Sequence, residues 1–372
     1  MPDHEVAIVG AGPVGLLLAC LLAQTGVDVG VYERRPDGDD RSRAIGIHPP
    51  GKGALDAAGL GTRVKEEALE LEGGEVICGG RILAALSFAR YQRVLVLPQR
   101  RTHALLIERL SHLQSATLFP DHEVRDVRNE GEQVRLALHT AGVSREVTAK
   151  FVVAADGVHS IIRKQLGIDW RPRPGSGSYA MVDAPHDQTG QRVQLHCEPA
   201  GLVEVFPLPE GQRRWVVADL QRTLGDRDAF VAAIRQRTGF RLELPLDRHP
   251  TMFRAQQHRA SRLTAGRVVL LGDAAHETSP IGGQGMNLGW AAAHQLSAAL
   301  EHAVRSGRAE FREYERHAER AAARAQQRSA FYMSMGRPAA GPTLAVRNAV
   351  IRLLGTAPLR ARTANMITMK GT

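Results

Sequence analysis

Cysteine is scarce in this sequence. Cys20, Cys78 and Cys197 are the only three in 372 residues, and they lie far apart. No CxxC pair exists, so neither a zinc site nor a disulfide framework is expected, and no metal site is assigned. A reducing cytoplasm suits such usage. Long apolar runs are missing too; none approaches the roughly 20 residues needed to span a bilayer. Only Met1–His4 precede the first apolar run, without a basic segment or cleavage site, so no signal peptide is expected. Lysine is rare, and the formal charge of +9 rests almost wholly on arginine. The arginines are scattered rather than blocked, which argues for a composition bias over a nucleic-acid surface. Repeats and low-complexity segments are absent.

What is present is a chain of two lobes, because 372 residues exceed one ordinary core. The hydrophobic share of 43% suits a globular enzyme. Glu5–Val9 is a short apolar run followed by GAGPVG and an apolar helix to about Gln24. Gly26 stops that helix, and Val27–Tyr32 forms a second strand ending at Glu33. This is a β-α-β unit. His103–Leu113 reads as an amphipathic helix, and Phe151–Ala155 as a buried strand. Trp170–Gly177 (WRPRPGSG) marks a crossing between lobes. Beyond it, residues 178–265 alternate polar and apolar as antiparallel strands, interrupted by one helix near Asp226–Thr238. Arg267–Leu271 returns to the buried-strand pattern. A helical stretch then runs from about Gly285 to the end, broken near Gly336–Pro342.

Three segments carry chemistry. Gly10, Gly12 and Gly15 form GxGxxG, with Pro13 inside it, between a strand and a helix. Glycines there allow a tight turn, close approach of backbone to a pyrophosphate, and close helix-on-strand packing. The helix N-terminus favours phosphate. Glu33, followed by Arg34, is placed to accept hydrogen bonds from ribose hydroxyls. This fingerprint alone does not separate FAD from NAD. A second paper match at Gly175, Gly177 and Ala180 has no strand before it and is rejected. The next segment is VVAADGVHSIIR, a buried strand and a turn at Asp156–Gly157 before a helix. The last is RVVLLGDAAHETSPIGGQGMNLG (Arg267–Gly289), where a strand delivers Asp273 into a loop. Asp273 can bond a ribityl or ribose hydroxyl. Its glycines let backbone lie against a flat ring, and the helix beginning near Gly285 aims partial positive charge at it.

In this order and spacing, GAGPVG, ADGVHSIIR and GDAAHETSPIGGQGMNLG resemble the class A flavin monooxygenases, the family of para-hydroxybenzoate hydroxylase, over about residues 5–320. The resemblance implies FAD as cofactor and NADPH or NADH as reductant. Arg43, in SRAIGIHPPG, matches a flavin-proximal arginine, and Gln99 a glutamine near the ribityl chain. Asp156 and Gly157 serve the link between FAD and NAD(P)H. Pro280, Gly283, Gly285, Met286 and Asn287 line the isoalloxazine ring. In two places the pattern departs: Ala292–Ala293 replaces a common Asp-Ala, and His103 a usual glutamate. A positive surface would help both polyanionic nucleotides arrive.

The implied fold is α/β, with a Rossmann-like FAD-binding lobe, a β-sheet substrate lobe and a C-terminal helical segment. The expected division is 1–70, 97–170 and 266–330 for FAD, 71–96 and 171–265 for substrate, and 331–372 as tail. The implied reaction is hydroxylation of an aromatic small molecule, phenolic or polyketide- or quinone-like, by NAD(P)H and O2 through a flavin C4a-hydroperoxide. A phenol needs a base; His48, His196 and His276 are candidates by location only. Rival readings are an FAD-dependent reductase, a halogenase and a non-catalytic flavin-binding protein. The halogenase branch carries WxWxIP, whereas Trp170, Trp215 and Trp290 are isolated here. In the tail, Leu344–Leu359 spaces apolar residues helically around Arg347 and Arg352. A helix packed on the body is expected, with membrane contact or a cover for a lipophilic substrate as the sharper alternative. The oligomeric state is left open.

Overall fold

The computed structural model describes residues 2–36, 44–186 and 190–370. Its first sheet has eight strands, and its centre is parallel. The path runs Thr264–Ala265, Val268–Leu270, Val143–Ala154, His4–Val9, Val29–Tyr32, Ala116–Phe119. The hairpin Glu123–Asn129 and Val134–Thr140 extends it from Val143–Ala154. Val6, Ala7, Ile8, Phe151, Val152, Val153 and Val268–Leu270 are all fully buried. Strands covered on both faces read as continuous apolar runs, as these do. The helix Pro13–Ala23 is apolar nearly all round and buried from Gly15 to Ala23. It packs against the helices Gly285–Ser306 and Gln99–Ser111.

The second large sheet has seven strands: Thr251–Ala255, Gly177–Pro185, Gln212–Ala218, Gly201–Pro207, Arg192–Glu198, Gly73–Cys78, Arg81–Ser87. Every pairing is antiparallel except Arg192–Glu198 with Gly73–Cys78, which join from distant parts of the chain. Val94–Val96 was assigned to this lobe from sequence. It pairs with Leu69–Leu71 and Gly46–Ile47 in a small sheet, and packs in one cluster with Val193 and Leu208 from the large one. One face of the seven-stranded sheet is covered by the helix Arg227–Thr238, capped by the Asp226 carboxylate.

The C-terminal helical stretch breaks earlier than the sequence suggests. Gly307 ends Gly285–Ser306 at φ 74°, a left-handed cap that favours glycine. Arg312–Met335, Gly341–Leu354 and Ala357–Ile367 follow. In the tail, Ile351 is buried, and Arg347 is 5% exposed. Its guanidinium donates to the Cys197 and Arg337 carbonyls, so the tail is fastened to the substrate lobe. Val346 and Leu353 remain exposed. No described helix is long and apolar enough to cross a membrane.

Candidate active site

The parallel register assembles the site. Val9 stands opposite Ala154 and Tyr32, and Ala154 opposite Leu270. The three motifs therefore leave one sheet edge side by side, at the carboxyl ends of the strands, where open α/β sheets bind ligands. A Cβ at Gly15 would lie 2.1 Å from the Gly10 carbonyl oxygen, so the helix can start this close to the strand only with glycine. A Cβ at Gly12 would meet nothing within 4 Å. That is open space above backbone at the start of the helix, whose N-terminus no side chain caps.

Glu33 closes one side of this cradle. Its carboxylate accepts from the Ala11 N–H at 2.9 Å and from the Arg35 N–H at 3.1 Å. Arg35, rather than Arg34, pairs with it, and Arg34 is exposed. His103 makes a 2.9 Å hydrogen bond to the Ala11 carbonyl, tying the helix Gln99–Ser111 to the glycine turn after the first strand. The Gln99 Oε1 accepts from the Ala44 N–H at 3.0 Å. Arg43 lies outside the described residues.

Asp156 accepts through Oδ2 from the Ile161 N–H at 2.9 Å, while its buried Oδ1 has no partner. Burial pushes its carboxyl above the usual range. Arg163, within the same motif, is 2% exposed and donates to the Ala274 carbonyl at 2.9 Å and the Val158 carbonyl at 2.8 Å. It lies 3.7 Å above the Trp170 ring. Arg163 thus bolts the Asp156 turn to the Asp273 turn, a role the motif's presence alone did not suggest. Asp273 is exposed at the strand end, and Pro280 is exposed beyond it.

The glycine loop is stitched by Asn287, which is fully buried. Its Oδ1 accepts from the His48 N–H at 2.8 Å, and its Nδ2 donates to the Gly46 and Gly283 carbonyls at 2.8 and 3.0 Å. His48 sits beneath the loop, its Nε2 3.2 Å from where a Gly283 Cβ would be. Met286 is half-buried at the helix start. Gln284 is fully buried with neither side-chain end bonded, and Thr278 Oγ1 is also unbonded. Buried polar groups without partners are costly. Orphans clustered in an open glycine cradle fit a polar, flat, phosphate-bearing cofactor.

The profile of the family described as FAD binding domain matches residues 3–329. The chain belongs to this family. FAD is therefore its dinucleotide, and the cradle above fits it. The 12-dehydrotetracycline 5-monooxygenase/anhydrotetracycline 6-monooxygenase of Streptomyces rimosus is 33% identical over 77% of this chain. The chain spans 60% of that relative's length. The para-nitrophenol 4-monooxygenase of a Pseudomonas species is 27% identical, covering 81% of this chain and 79% of its own. Among solved structures, the p-nitrophenol 4-monooxygenase of Pseudomonas putida superposes with a TM-score of 0.86 at 23% identity, covering 98% of both chains. The anhydrotetracycline hydroxylase of Streptomyces rimosus gives 0.80 at 27% identity, over 99% of this chain and 76% of that one.

The histidine candidates divide. His48 lies by the FAD loop. His196 points to the other face of the substrate sheet, edge-on to Phe240. His276 is buried at the end of the Asp273 turn. Burial drives all three down to about 4. An unfolded histidine titrates near 6.5, so below that pH the unfolded chain binds protons that the folded one refuses. Their stability contribution is complete above 6.5 and is lost as pH falls to 4. Each costs on the order of a few kcal/mol by the end of that window. Urea midpoints at pH 7.5, 5.5 and 4.5 should fall steeply; a flat profile would mean that these imidazoles reach water.

Proposed function

We propose that this protein is an FAD-dependent monooxygenase that hydroxylates an aromatic small molecule, phenolic or polyketide- or quinone-like, with NAD(P)H and O2. One observation carries the reading. Ile281, in the turn under the expected flavin ring, packs in one cluster with Met181, Phe206, Phe253 and Tyr332. An apolar, aromatic wall beside the flavin cradle suits a planar substrate. The names of the relatives, one a tetracycline and one a nitrophenol monooxygenase, support the same class.

In this reading the Gly10, Gly12, Pro13 and Gly15 turn holds the pyrophosphate, and Glu33 the ribose, with Arg34 at its rim. Gln99 and Asp273 hold the ribityl chain, and Arg43, outside the described residues, is the flavin-proximal arginine of the motif. Asp156 and Gly157 shape the approach of NAD(P)H. Pro280, Gly283, Gly285, Met286 and Asn287 support the ring. Bound FAD supplies electron transfer and oxygen activation; the chain orients substrate and keeps water out. Three unpaired, buried cysteines agree with a cytoplasmic site of action.

The test is a stopped-flow reductive half-reaction with NADH and with NADPH across a panel of phenols. At least one phenol should speed flavin reduction about tenfold or more, a barrier change of about 1.4 kcal/mol, and its product should gain one oxygen. Tight FAD binding with no turnover by either donor would sink the hydroxylase and leave a binding module.

A further inference from the structure

The strand Gly201–Pro207 carries a charge inside an apolar run. Val203 and Val205 point into the core beneath the helix Arg227–Thr238. Leu202 and Phe206 point the other way, into the cluster that holds Ile281 and Tyr332. Strand alternation puts Glu204 on that second face, toward the flavin loop. Glu204 is 6% exposed. Its strand neighbours in register are Leu195 and Val216, both apolar. Among the described residues, burial is the one influence that shifts its carboxyl, with no hydrogen bond or charge beside it among the causes. Arg214, one pair along the sheet, is occupied by Asp183 at 2.7 and 2.8 Å. A buried carboxyl kept without a partner is costly unless a ligand completes it.

We propose that Glu204 exchanges the proton of the substrate's phenolic hydroxyl. The O–H bond breaks, its electron pair stays on the phenolic oxygen, and the proton joins the Glu204 carboxylate. The ring becomes electron-rich without any external base. This inference rests on the aromatic hydroxylase reading above and names the group that serves it. Burial pushes Glu204 up to about 8, toward the value near 10 of an ordinary phenol, which narrows the gap the proton must cross. The other ionisable groups on this face are accounted for. Tyr179 and Cys197 are both raised, chiefly by burial and further by the Glu204 charge. Tyr332, from the helix Arg312–Met335, is pushed up to about 12 by burial. Arg337 lies near Tyr179 and Arg347 near Cys197. Cys78 is hydrogen-bonded to Arg347 and Asn348, Arg328 lies near Tyr332, and Arg214 is paired with Asp183.

The experiment uses FAD-loaded wild type, Glu204→Gln and Glu204→Asp, titrated with 4-nitrophenol, whose ionised form is coloured. Two signals are read against pH: the colour of the bound phenol, and infrared difference spectra in the protonated-carboxyl region. Near pH 8, where the free wild-type carboxyl is still partly ionised, binding should ionise the remaining phenol and strengthen the carboxylic-acid band. Glu204→Gln should lack the band, and its bound phenol should ionise at least about one pH unit higher, a tenfold change in proton affinity. Glu204→Asp should keep the band. Phenol-stimulated flavin reduction should fall about 100-fold in Glu204→Gln, the lower end of the range for a lost general base. Should Glu204→Gln fail to load FAD, the wild-type band and its displacement in Glu204→Asp decide. Normal binding of 4-nitrophenol with no such band, or with ionisation unchanged in Glu204→Gln, overturns Glu204 as the acceptor and leaves the hydroxylase reading standing. If no phenol in the panel binds wild type, the hydroxylase reading falls and this inference falls with it.

Discussion

Gly12→Val should give a folded protein that no longer holds FAD. Gly12 sits at φ −68° and ψ 170°, extended backbone that valine adopts readily. Its new Cβ would meet no protein atom within 4 Å. The fold therefore has no reason to suffer. The open space above Gly12 is the proposed seat of the pyrophosphate against the backbone, and two methyl groups would fill it. FAD affinity should drop at least about 100-fold, or about 2.8 kcal/mol, with the urea midpoint unchanged. Gly10→Ala is the contrasting control. At φ +104° its Cβ would lie 2.4 Å from the Ala155 carbonyl oxygen, so that variant should lose stability first. Calorimetric titration of Gly12→Val apoprotein with FAD at wild-type affinity would remove the phosphate from this turn.

The second large effect is expected at Asn287. Truncation to alanine strands the His48 N–H and the Gly46 and Gly283 carbonyls together. Each stranded buried group costs about 1–3 kcal/mol, so the sum should be roughly 3 kcal/mol or more. The damage is not only thermodynamic. Gly283 belongs to the turn proposed to lie under the flavin ring, and Gly46 and His48 lead into the helix Pro49–Ala57. That helix passes so near that a Cβ on Gly51 would lie 2.2 Å from Asn287 Oδ1. FAD should therefore leave Asn287→Ala faster as well as the chain unfolding sooner. Guanidinium unfolding and FAD release by fluorescence measure the two; a variant within about 0.5 kcal/mol of wild type would show that the loops hold themselves.

Much of the nucleotide lobe was legible because its signals are local. A glycine-rich turn between a buried strand and an apolar helix can be read without knowing any partner. The same holds for Asp156–Gly157 and Asp273. The helix expected near Asp226–Thr238 forms there, capped by Asp226 and ended by Gly239. The helical stretch after Gly285 was read as unbroken as far as Gly336, because one glycine at Gly307 is a weak break until its left-handed φ is seen. The partners of Val94–Val96 were not legible, since a three-residue apolar strand carries no record of what it pairs with.

The chemistry divides along the same line. The residues and order of the three motifs determined the dinucleotide and the family, because phosphate and ring contacts are made by backbone, and backbone freedom is written in glycine positions. Tertiary structure alone decided what those motifs face. The register of Val9, Ala154 and Leu270 brought them to one edge, and Arg163 locked two of them together. In the substrate lobe, a histidine in VQLHCE and a glutamate in LVEVFPL looked alike as polar residues in strands. Pairing set His196 opposite Val203, so both face the helix-covered core and Glu204 faces the flavin side. Strand side chains alternate every residue, so a single step of register exchanges the two faces, and no sequence pattern fixes that step in advance.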